Sequence, residues 1–477
     1  MTDLANLEFS PDEMRRMGFA AIERVVGFLE SLPAQPMRGD TGAETFCRAL
    51  REPEPPVTGA DFDTVLRRLF EEWIPRSFNC ASPGYLAFIP GGGLYPAALA
   101  DFIADGVNRF TGIWQAAPAL VQLEANVLDW FRQWMQFPDT ARGLLTTGGS
   151  MANFNAIVCA RERWLGPRLR DGVLYTSTQT HHSVMKSAKL AGILADRVRS
   201  IPADREFRID VGRLREAVDA DRKSGLVPFM VVSNAGTTNT GAVDPLEDVG
   251  RICAEERMWH HVDGAYGAFF HAVPALRPLL AGLADADSVT LDPHKGLFLP
   301  YGTGALLVRD GRYLRAAHQA TAGYLPDMPD ADEFYDPSQH GPDLSRGFPG
   351  LRVWLSVTLL GAERIVAAIA EKRALALDAA RRFAQIPCLV IDAPPQLSLF
   401  AFHVEWAGAS QAQQNEATER LLDRVTARGR VMLTGCRVDG RFLGRVCVLS
   451  FRTRQAQIDQ CVADVEAEMQ RISVRHA

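Results

Sequence analysis

Short runs of apolar, often β-branched residues alternate with helix-like segments through the middle of the chain. From residue 143 onward these runs read GLLTT, VLYTS, RVRSIPA, PFMVVSNAG, WHHVDGA, SVTLDPH and GALLVRD. Segments with helical periodicity at 150–164, 181–192, 210–223 and 244–257 separate most of them. Strands that alternate with helices predict a mostly parallel sheet covered on both faces. Because ligands of such sheets bind beyond the carboxyl ends of the strands, chemistry is expected at that edge.

Helical segments precede this region. Residues 11–32 predict an amphipathic helix with Ser10 as its N-cap, and residues 62–73 predict another helix. Between them, the stretch 51–63 is rich in proline and acidic residues and is typical of a linker. These helices have little core of their own, so we expect them to pack on another part of the protein or on a partner subunit.

A long irregular segment and a third region follow the alternating pattern. Residues 318–350 hold many Pro, Asp and Gly residues without a clear period, and loops of this length are usually functional or disordered. Residues 351–385 predict a long helical region, and 386–477 predict two helices with the short strands LVIDA, LSLFAFHV, VMLTGCRV and RVCVLSFR. The predicted units are an N-terminal helical segment (1–75), a large domain (76–370) and a small C-terminal α+β domain (371–477).

Composition narrows the class of protein. The 477 residues are 47% hydrophobic and 23% charged with a formal net charge of -6, as in an ordinary globular protein, and no basic stripe indicates a nucleic-acid partner. The eight cysteines form no CxxC pair, which predicts reduced thiols. The first residues lack the order of a signal peptide, and no apolar run approaches the roughly 20 residues of a membrane span. We therefore expect a cytoplasmic protein without membrane association.

Two segments place anion-binding or hydroxyl groups at the ends of predicted strands. In TTGGSMANFNA a strand runs into Gly148-Gly149 and Ser150, where a helix begins. The free N–H groups and dipole of a helix start favour a phosphate, although a plain Gly-Gly turn with a serine cap fits equally. In SNAGTTNTGAVDP, Thr237 and Thr238 are placed to reach a cofactor oxygen or to form only a capped turn.

A third segment, WHHVDGAYGAF, ends an apolar strand with Asp263. A buried carboxylate needs a cationic or hydrogen-bonding partner, and a pyridinium nitrogen is one such partner. A zinc site built from His260, His261 and Asp263 is an alternative, which the opposite orientation of adjacent strand residues disfavours. A purely structural aspartate is a further alternative.

A fourth segment, SVTLDPHKGLFLPYGTG, places Lys295 beside His294 after a strand and a proline turn. A lysine at the carboxyl edge of a sheet is placed to form an imine, whereas a surface lysine is disfavoured by the apolar flanks. Together the four segments supply a lysine for a Schiff base, an acid for a ring nitrogen and a helix start for a phosphate. These are the groups that pyridoxal 5'-phosphate (PLP) requires.

From about residue 70 to 370 the sequence resembles the group II PLP-dependent decarboxylases, which include aromatic-L-amino-acid decarboxylase and glutamate decarboxylase. DPHK resembles the family's NPHK, HVDGAYG its HVDAAY, THHSV its AHSSV or SHYSI, and WQAAPALVQLE its WAASPACTELE. The resemblance implies an α/β protein of PLP fold type I (aspartate aminotransferase-like), with a mostly parallel seven-stranded sheet, a smaller C-terminal α+β domain and a homodimeric assembly. The implied reaction is decarboxylation of an L-amino acid to the amine and carbon dioxide.

The resemblance also implies site residues. The implied cofactor-binding residues are Lys295, Asp263 at the ring nitrogen, Ala265 beneath the ring, His181 stacked on it, Thr238, Gly149, Ser150 and His294. The implied catalytic residues are Lys295, His181, Asp263 and Tyr324, the last matching a loop tyrosine that protonates the carbanion after carbon dioxide leaves. On the substrate side stand Phe88, Ile89, Trp114 and Arg346, and the first three of these favour an aromatic or apolar amino acid.

The sequence departs from the family in ways that bear on the cofactor and the substrate. Asp292 replaces the asparagine of NPHK, and a carboxylate facing a phosphate is repelled unless it is protonated or turned away, so we assign it no phosphate role. Phe88 replaces a tyrosine, which changes the substrate side.

Three alternatives to simple decarboxylation stay open. An aldehyde synthase is a close relative, and such relatives tend to have lost the stacking histidine or the loop tyrosine, whereas this chain keeps His181 and Tyr324. A carbon–carbon lyase of the same fold is the second. A non-catalytic PLP-fold chain is disfavoured because Lys295, Asp263 and His181 are all present.

Overall fold

The computed structural model describes residues 6–320 and 333–473. The helices are α1 (Pro11–Ser31), α2 (Ala43–Ala49), α3 (Phe62–Arg68), α4 (Tyr95–Val107), α5 (Pro118–Trp134), α6 (Gly149–Trp164), α7 (His182–Leu190), α8 (Val211–Lys223), α9 (Leu246–Glu255), α10 (Pro293–Gly296), α11 (Gly311–His318), α12 (Pro349–Leu360), α13 (Ala362–Phe383), α14 (Gln411–Ala427) and α15 (Gln455–Ser473). The strands are β1 (Arg142–Thr146), β2 (Gly172–Ser177), β3 (Val198–Ile201), β4 (Val227–Asn234), β5 (Trp259–Asp263), β6 (Ser288–Leu291), β7 (Gly304–Val308), β8 (Leu389–Ile391), β9 (Leu399–Val404), β10 (Thr434–Val438) and β11 (Arg441–Cys447).

Each of the seven apolar runs from residue 143 onward forms one strand of a single sheet. The strand order is β1-β7-β6-β5-β4-β2-β3. Strand β7 is antiparallel to both of its neighbours, and the other pairings are parallel. The predicted mostly parallel seven-stranded sheet of an α/β fold is therefore confirmed.

Helices cover both faces of this sheet, as the residues of β7 show. Ala305 and Leu307 belong to a core that includes Phe131 of α5, whereas the alternate residues Leu306 and Val308 belong to a core built with α6 and α7. Side chains of a strand alternate between faces, so both faces of β7 are buried. This explains why the run GALLVRD is continuously apolar.

The small domain has a four-stranded antiparallel sheet in the order β10-β11-β9-β8, packed with α13, α14 and α15. The predicted strand RVCVLSFR (445–452) is wrong in position, because β11 begins at Arg441 and ends at Cys447. A hairpin sets this start: Val438 pairs with Arg441 across Asp439 and Gly440, both with positive φ (48° and 79°). Asp-Gly is the usual sequence of such a two-residue turn.

The predicted helical region 351–385 is two helices. Helix α12 ends at Leu360 and α13 begins at Ala362, because Gly361 has a φ of 80° that interrupts the helical geometry. The predicted domain boundary at 370/371 lies within α13 and stays a prediction. No single helix in the described parts of the chain is long and apolar enough to cross a bilayer; α12 and α13 reach that length only together, and they are bent by 93°.

The N-terminal helices carry little buried surface. Helix α1 begins with a capping box in which Ser10 and Glu13 bond to each other's backbone, and none of its residues is buried. The predicted helix 62–73 is observed as α3 followed by a π-helical turn, Leu69–Trp73. Both helices therefore form as predicted, and α1 packs on α3 rather than on the large sheet.

Candidate active site

The carboxyl ends of the central strands meet at a cavity of about 370 Å³. The strand register places Asn234 opposite Asp263 and Asp263 opposite Thr290, so polar residues lie at one level near the carboxyl ends of three adjacent strands. The cavity is lined by Thr147, Gly148, Gly149, Ser150, Met151, Asn153, His181, Ser183, Asn234, Gly236, Thr238, Asp263, Ala265, Tyr266, Asp292, His294 and Lys295. Every cofactor-binding residue that the family resemblance implies is in this lining, whereas Thr237 is not and instead contacts Thr240 within its turn.

Lys295 enters the cavity from α10, the short helix that follows β6. Its ammonium Nζ lies 2.8 Å from Asp292 Oδ2, and 23% of the side chain is exposed. Burial lowers the pKa of Lys295, but the attraction and hydrogen bond of Asp292 outweigh that effect, and the pKa is raised above its ordinary value. The amine is thus charged at neutral pH while this pair is intact.

Asp292 faces the cavity rather than away from it. Its side chain is 1% exposed, and its Oδ1 has no hydrogen-bond partner among the described residues. A Cβ placed on Gly149 would lie 3.1 Å from Asp292 Oδ2. The carboxylate therefore lies against the Gly-Gly turn, where the phosphate is expected, and is not turned away from it.

Asp263 is oriented by a chain of buried polar groups. Its Oδ2 accepts a hydrogen bond from Asn153 Nδ2 at 2.9 Å, and its Oδ1 accepts one from the Ala265 backbone at 3.2 Å. The other end of the amide, Asn153 Oδ1, accepts from Thr290 Oγ1 at 2.7 Å and lies 3.0 Å from His261 Nε2. Since Thr290 and His261 hold the amide oxygen, the amide N–H₂ is directed at Asp263.

His260 and His261 point to different partners, which bears on the zinc alternative. His260 Nε2 lies 2.7 Å from Ser233 Oγ, whereas His261 Nδ1 lies 2.7 Å from Ser288 Oγ. Burial lowers the pKa of each to about 4, so both rings are neutral. Within the residues that the structure describes, no cluster of three or more His, Cys, Asp or Glu side chains is arranged to hold a metal.

His181 forms the N-cap of α7 at the rim of the cavity. Its Nδ1 accepts the Ser183 backbone N–H at 3.3 Å and lies 2.8 Å from Ser183 Oγ. Burial lowers the pKa of His181, so the ring is neutral near pH 7. With Nδ1 occupied as an acceptor, the ring hydrogen is on Nε2.

The phosphate end of the predicted site is the start of α6. Gly148 is the N-cap residue, and no side chain caps the free N–H groups of the first turn. A Cβ on Gly149 would also lie 2.9 Å from Ala265 Cβ, so only glycine leaves this approach open. The cavity thus has four kinds of group around it: uncapped N–H donors at a helix start, a lysine, an oriented carboxylate and a neutral imidazole. Their charges and hydrogen-bonding groups fit PLP.

The residues predicted on the substrate side do not line this cavity. Phe88 is 49% exposed and stacks on Phe78. Ile89 packs against the large core, and Trp114 contacts Phe334 at a ring distance of 4.6 Å. Tyr324 lies outside the described residues.

Arg346 is also outside the cavity, in a buried ion pair. Its guanidinium forms a two-point contact with Glu124 on α5, with Nη1–Oε1 and Nη2–Oε2 distances of 2.7 Å. Glu124 is 2% exposed and Arg346 11%. In this arrangement Arg346 fixes the segment before α12 to α5, and its donors face Glu124 rather than the cavity.

Sequence reasoning missed several residues that shape the cavity, above all Asn153, Ser183 and Asn234. Asn153 follows Ser150 by three residues in a helix, so the two lie on one face, and that spacing was the available signal. Asn234 Nδ2 donates to Asp244 Oδ2 at 2.8 Å and to Thr180 Oγ1 at 3.1 Å, which ties the end of β4 to the loop before His181.

Comparison with known proteins agrees with this geometry. The pyridoxal-dependent decarboxylase conserved domain matches residues 52–404. Aromatic-L-amino-acid decarboxylase of Bacillus atrophaeus is 32% identical over 473 residues, covering 99% of this chain and 98% of that protein. Phenylacetaldehyde synthase of Petunia hybrida is 28% identical over 473 residues, covering 94% and 92%.

A solved structure adds the fold. The crystal structure of Oryza sativa TDC with PLP and tryptamine matches with a TM-score of 0.92 at 27% identity, covering 98% of this chain and all of that one (100%). The match extends over both the large sheet and the C-terminal domain, as PLP fold type I requires. The chain therefore belongs to the pyridoxal-dependent decarboxylases, with pyridoxal 5'-phosphate as its cofactor and amino-acid decarboxylation as its reaction.

Proposed function

We propose that this protein decarboxylates an aromatic L-amino acid to its amine and carbon dioxide, with Lys295 as the residue that holds PLP covalently. The observation that carries the proposal is the convergence of Lys295, Asp263 and His181 on one cavity at the carboxyl edge of the sheet. When bound, PLP accepts the electron pair that the departing carboxylate leaves on the substrate. The aromatic substrate class is supported by the similarity to aromatic-L-amino-acid decarboxylase.

The side chains around the cavity each have a separate task in this proposal. Lys295 gives up its proton to bind an aldehyde and is kept in place before that by Asp292 at 2.8 Å. Asp263, held by the amide of Asn153, presents a carboxylate to a protonated ring nitrogen. His181, neutral and fixed through Nδ1 at the rim of the cavity, would pack against the cofactor ring and help to exclude water.

Phe88, Ile89 and Trp114 stay proposed substrate residues, and their positions bear on the assembly. Because the exposed ring of Phe88 does not line the cavity of its own chain, it is free to contact a second subunit. We propose a homodimer, which is supported by exposed apolar side chains on and next to α4: Phe102, Ile103, Val107 and Phe110 are 66%, 48%, 55% and 41% exposed. Light scattering of the purified holoenzyme should give twice the chain mass; a monomer would contradict this.

We also propose a cytoplasmic location. All eight cysteines are free thiols, including the exposed Cys47 and Cys388, as expected where thiols stay reduced. Fractionation of producing cells should place the protein with cytoplasmic markers.

The function is tested with a panel of L-amino acids offered to the holoenzyme, with carbon dioxide release as the readout. The panel holds phenylalanine, tyrosine, 3,4-dihydroxyphenylalanine and tryptophan, with glutamate and alanine as non-aromatic members. Aromatic members should release carbon dioxide and form the amine, and Lys295→Ala should release none. Release from glutamate but from no aromatic member would overturn the substrate class.

The aldehyde synthase alternative is kept because a relative of comparable similarity bears that name. Tyr324 was predicted to return a proton to the substrate Cα, which favours amine formation. Peroxide and aldehyde are therefore assayed in the same panel, with Tyr324→Phe beside the wild type. We expect the wild type to form amine without peroxide, and Tyr324→Phe to form some aldehyde. If the wild type forms peroxide and aldehyde in equimolar amounts, the protein is an aldehyde synthase.

A further inference from the structure

Arg445 is a buried cation that joins the small domain to the active-site region. It lies on β11 and is 4% exposed. Its Nε donates to the Asn239 carbonyl at 2.9 Å and its Nη1 to Thr434 Oγ1 at 3.3 Å. Its Nη2 donates to the carbonyls of Phe88, at 3.3 Å, and of Thr238.

The partners of Arg445 are unusual for a buried guanidinium. They are three backbone carbonyls and one hydroxyl, and no carboxylate of the described residues lies within 4.0 Å of it. A buried charge must be compensated by its surroundings, and here only correctly placed carbonyl dipoles compensate it. The position of Arg445 and the positions of these carbonyls therefore determine one another.

The carbonyls belong to two separate segments, and only one of these segments reaches the cofactor cavity. Thr238 and Asn239 form the turn after β4, and Thr238 lines the cofactor cavity. A second small-domain group, Cys436 Sγ, contacts the same turn at Asn239 O at 3.7 Å. Phe88 lies outside that cavity, in the segment that follows the N-terminal helices.

Phe88 needs such support because its backbone is in a disfavoured conformation. Its φ is 52°, in the left-handed region that residues with a Cβ seldom adopt. Its N–H donates to Thr434 Oγ1 at 3.0 Å while its carbonyl accepts from Arg445. Both polar backbone groups of Phe88 are thus held by two small-domain residues that also contact each other.

We infer that Arg445 and Thr434 form a positioning brace that fixes the Phe88 backbone relative to the Thr238–Asn239 turn, and so sets the substrate side of the site against its cofactor side. The brace rests on the proposed function in one respect, the assignment of Phe88 to substrate binding. Lysine cannot replace arginine here, because one ammonium does not span the carbonyls of both segments as a planar guanidinium does.

The brace has two arms, the contacts to the Phe88 backbone and the contacts to the Thr238–Asn239 turn, and substitutions can test them separately. Thr434→Val removes the acceptor of the Phe88 N–H but leaves the bonds of Arg445 to Thr238 and Asn239. For the aromatic amino acid that turns over fastest, KM should rise about tenfold with kcat changed less than about twofold, as expected for loss of one binding geometry. Thr434→Ser keeps the hydroxyl and should restore the wild-type KM.

Arg445→Lys disturbs both arms, so its effect is measured on the binding of PLP as well as on turnover. Its affinity for PLP, measured by equilibrium dialysis, should fall about tenfold, and the visible circular dichroism of bound PLP should change because Thr238 moves. Arg441→Lys, on the same strand but outside the brace, is the matched control and should retain both. In a crystal structure of Thr434→Val, Phe88 should leave the left-handed region.

The outcomes separate the brace from the proposed function. If wild-type holoenzyme releases carbon dioxide from no aromatic amino acid, the proposed function fails, while PLP affinity, dichroism and the Phe88 φ still test the brace. Unchanged PLP affinity and dichroism in a folded Arg445→Lys, or an unchanged Phe88 φ in Thr434→Val, would overturn the brace. Should Arg445→Lys fail to fold, the Thr434→Val and Thr434→Ser pair decides alone.

Discussion

Lys295 Nζ lies 2.8 Å from Asp292 Oδ2, so the predicted cofactor lysine is ion-paired with the residue that departs from the family motif. The carboxylate also lies against Gly149, at the start of α6. It therefore has two opposing effects on PLP: it holds the lysine in place, and it adds a negative charge where the phosphate is expected.

Asp292→Asn should accelerate the loading of PLP. Asp292 raises the pKa of Lys295, so its removal lowers that pKa and increases the fraction of neutral amine near pH 7.5. A decrease of one pKa unit corresponds to about a tenfold faster second-order loading rate. Stopped-flow absorbance of apoenzyme mixed with PLP measures this rate. The exposed Asp219→Asn should load like the wild type; slower or unchanged loading by Asp292→Asn would count against the electrostatic argument.

His181 and His182 provide a matched pair of adjacent histidines whose ring centroids are 4.1 Å apart. His181 lines the cavity, whereas His182 is exposed. His181→Gln should lower kcat by about 100-fold, because loss of the fixed imidazole misplaces the groups that react beside it. His182→Gln should stay within about twofold of the wild type. Equal effects of the two substitutions on steady-state carbon dioxide release would contradict the role of His181.

Thr290 tests the support of Asp263 without a change to Asp263. Thr290→Val removes one of the two groups that hold Asn153 Oδ1 and leaves only His261, so the amide can rotate away from its contact with Asp263 Oδ2. Loss of this contact should weaken PLP binding about tenfold, equivalent to about 1.4 kcal/mol. Equilibrium dialysis measures the affinity, and Thr290→Ser should restore it. A Thr290→Val variant with wild-type affinity would show that the Asn153 orientation is unimportant.

His403 makes stability depend on pH in the small domain. Its side chain is 2% exposed, with Nδ1 3.0 Å from Asp392 and Nε2 2.9 Å from Glu405. Burial lowers the pKa of His403 and Arg441 opposes its charge, but hydrogen bonds to the two carboxylates prevail and the pKa is raised above 6.5. The stabilisation is therefore complete below the ordinary pKa and is lost as pH rises through the raised one.

The expected result is a melting temperature that falls in the wild type as pH rises above the ordinary histidine pKa of about 6.5, and that falls less in His403→Gln. Differential scanning calorimetry of the holoenzyme at fixed ionic strength measures both. Identical pH profiles for the two proteins would show that His403 does not titrate in this range.

The sheet, and the meeting of the predicted cofactor residues at one edge of it, were predictable because the strands are apolar and polar residues stand at or just after their ends. The run WHHV ends in Asp263 and the run SVTL leads to Lys295, so knowing the strands located both groups at one edge. The parallel register then placed Asp263 level with Thr290. This follows from the order and direction of the strands, so no further sequence signal was needed to predict it.

Contacts between distant segments were not predictable from the sequence. Arg445 bonds to Thr238, 207 positions earlier, and no local pattern marks a buried arginine that binds carbonyls. Asn153 was missed because α6 is buried on nearly all sides, so its sequence carries little periodic contrast between faces. The start of β11 was misplaced although the Asp439-Gly440 turn was visible in the sequence.

The most direct test of the proposed active site is to find which lysine carries the cofactor. Holoenzyme that releases carbon dioxide is reduced with borohydride, digested, and its peptides are mapped by mass spectrometry. The pyridoxyl group should be on Lys295, with Lys295→Ala unlabelled and colourless. A label on another lysine of the active enzyme, or a chromophore that survives in Lys295→Ala, would contradict the site described above.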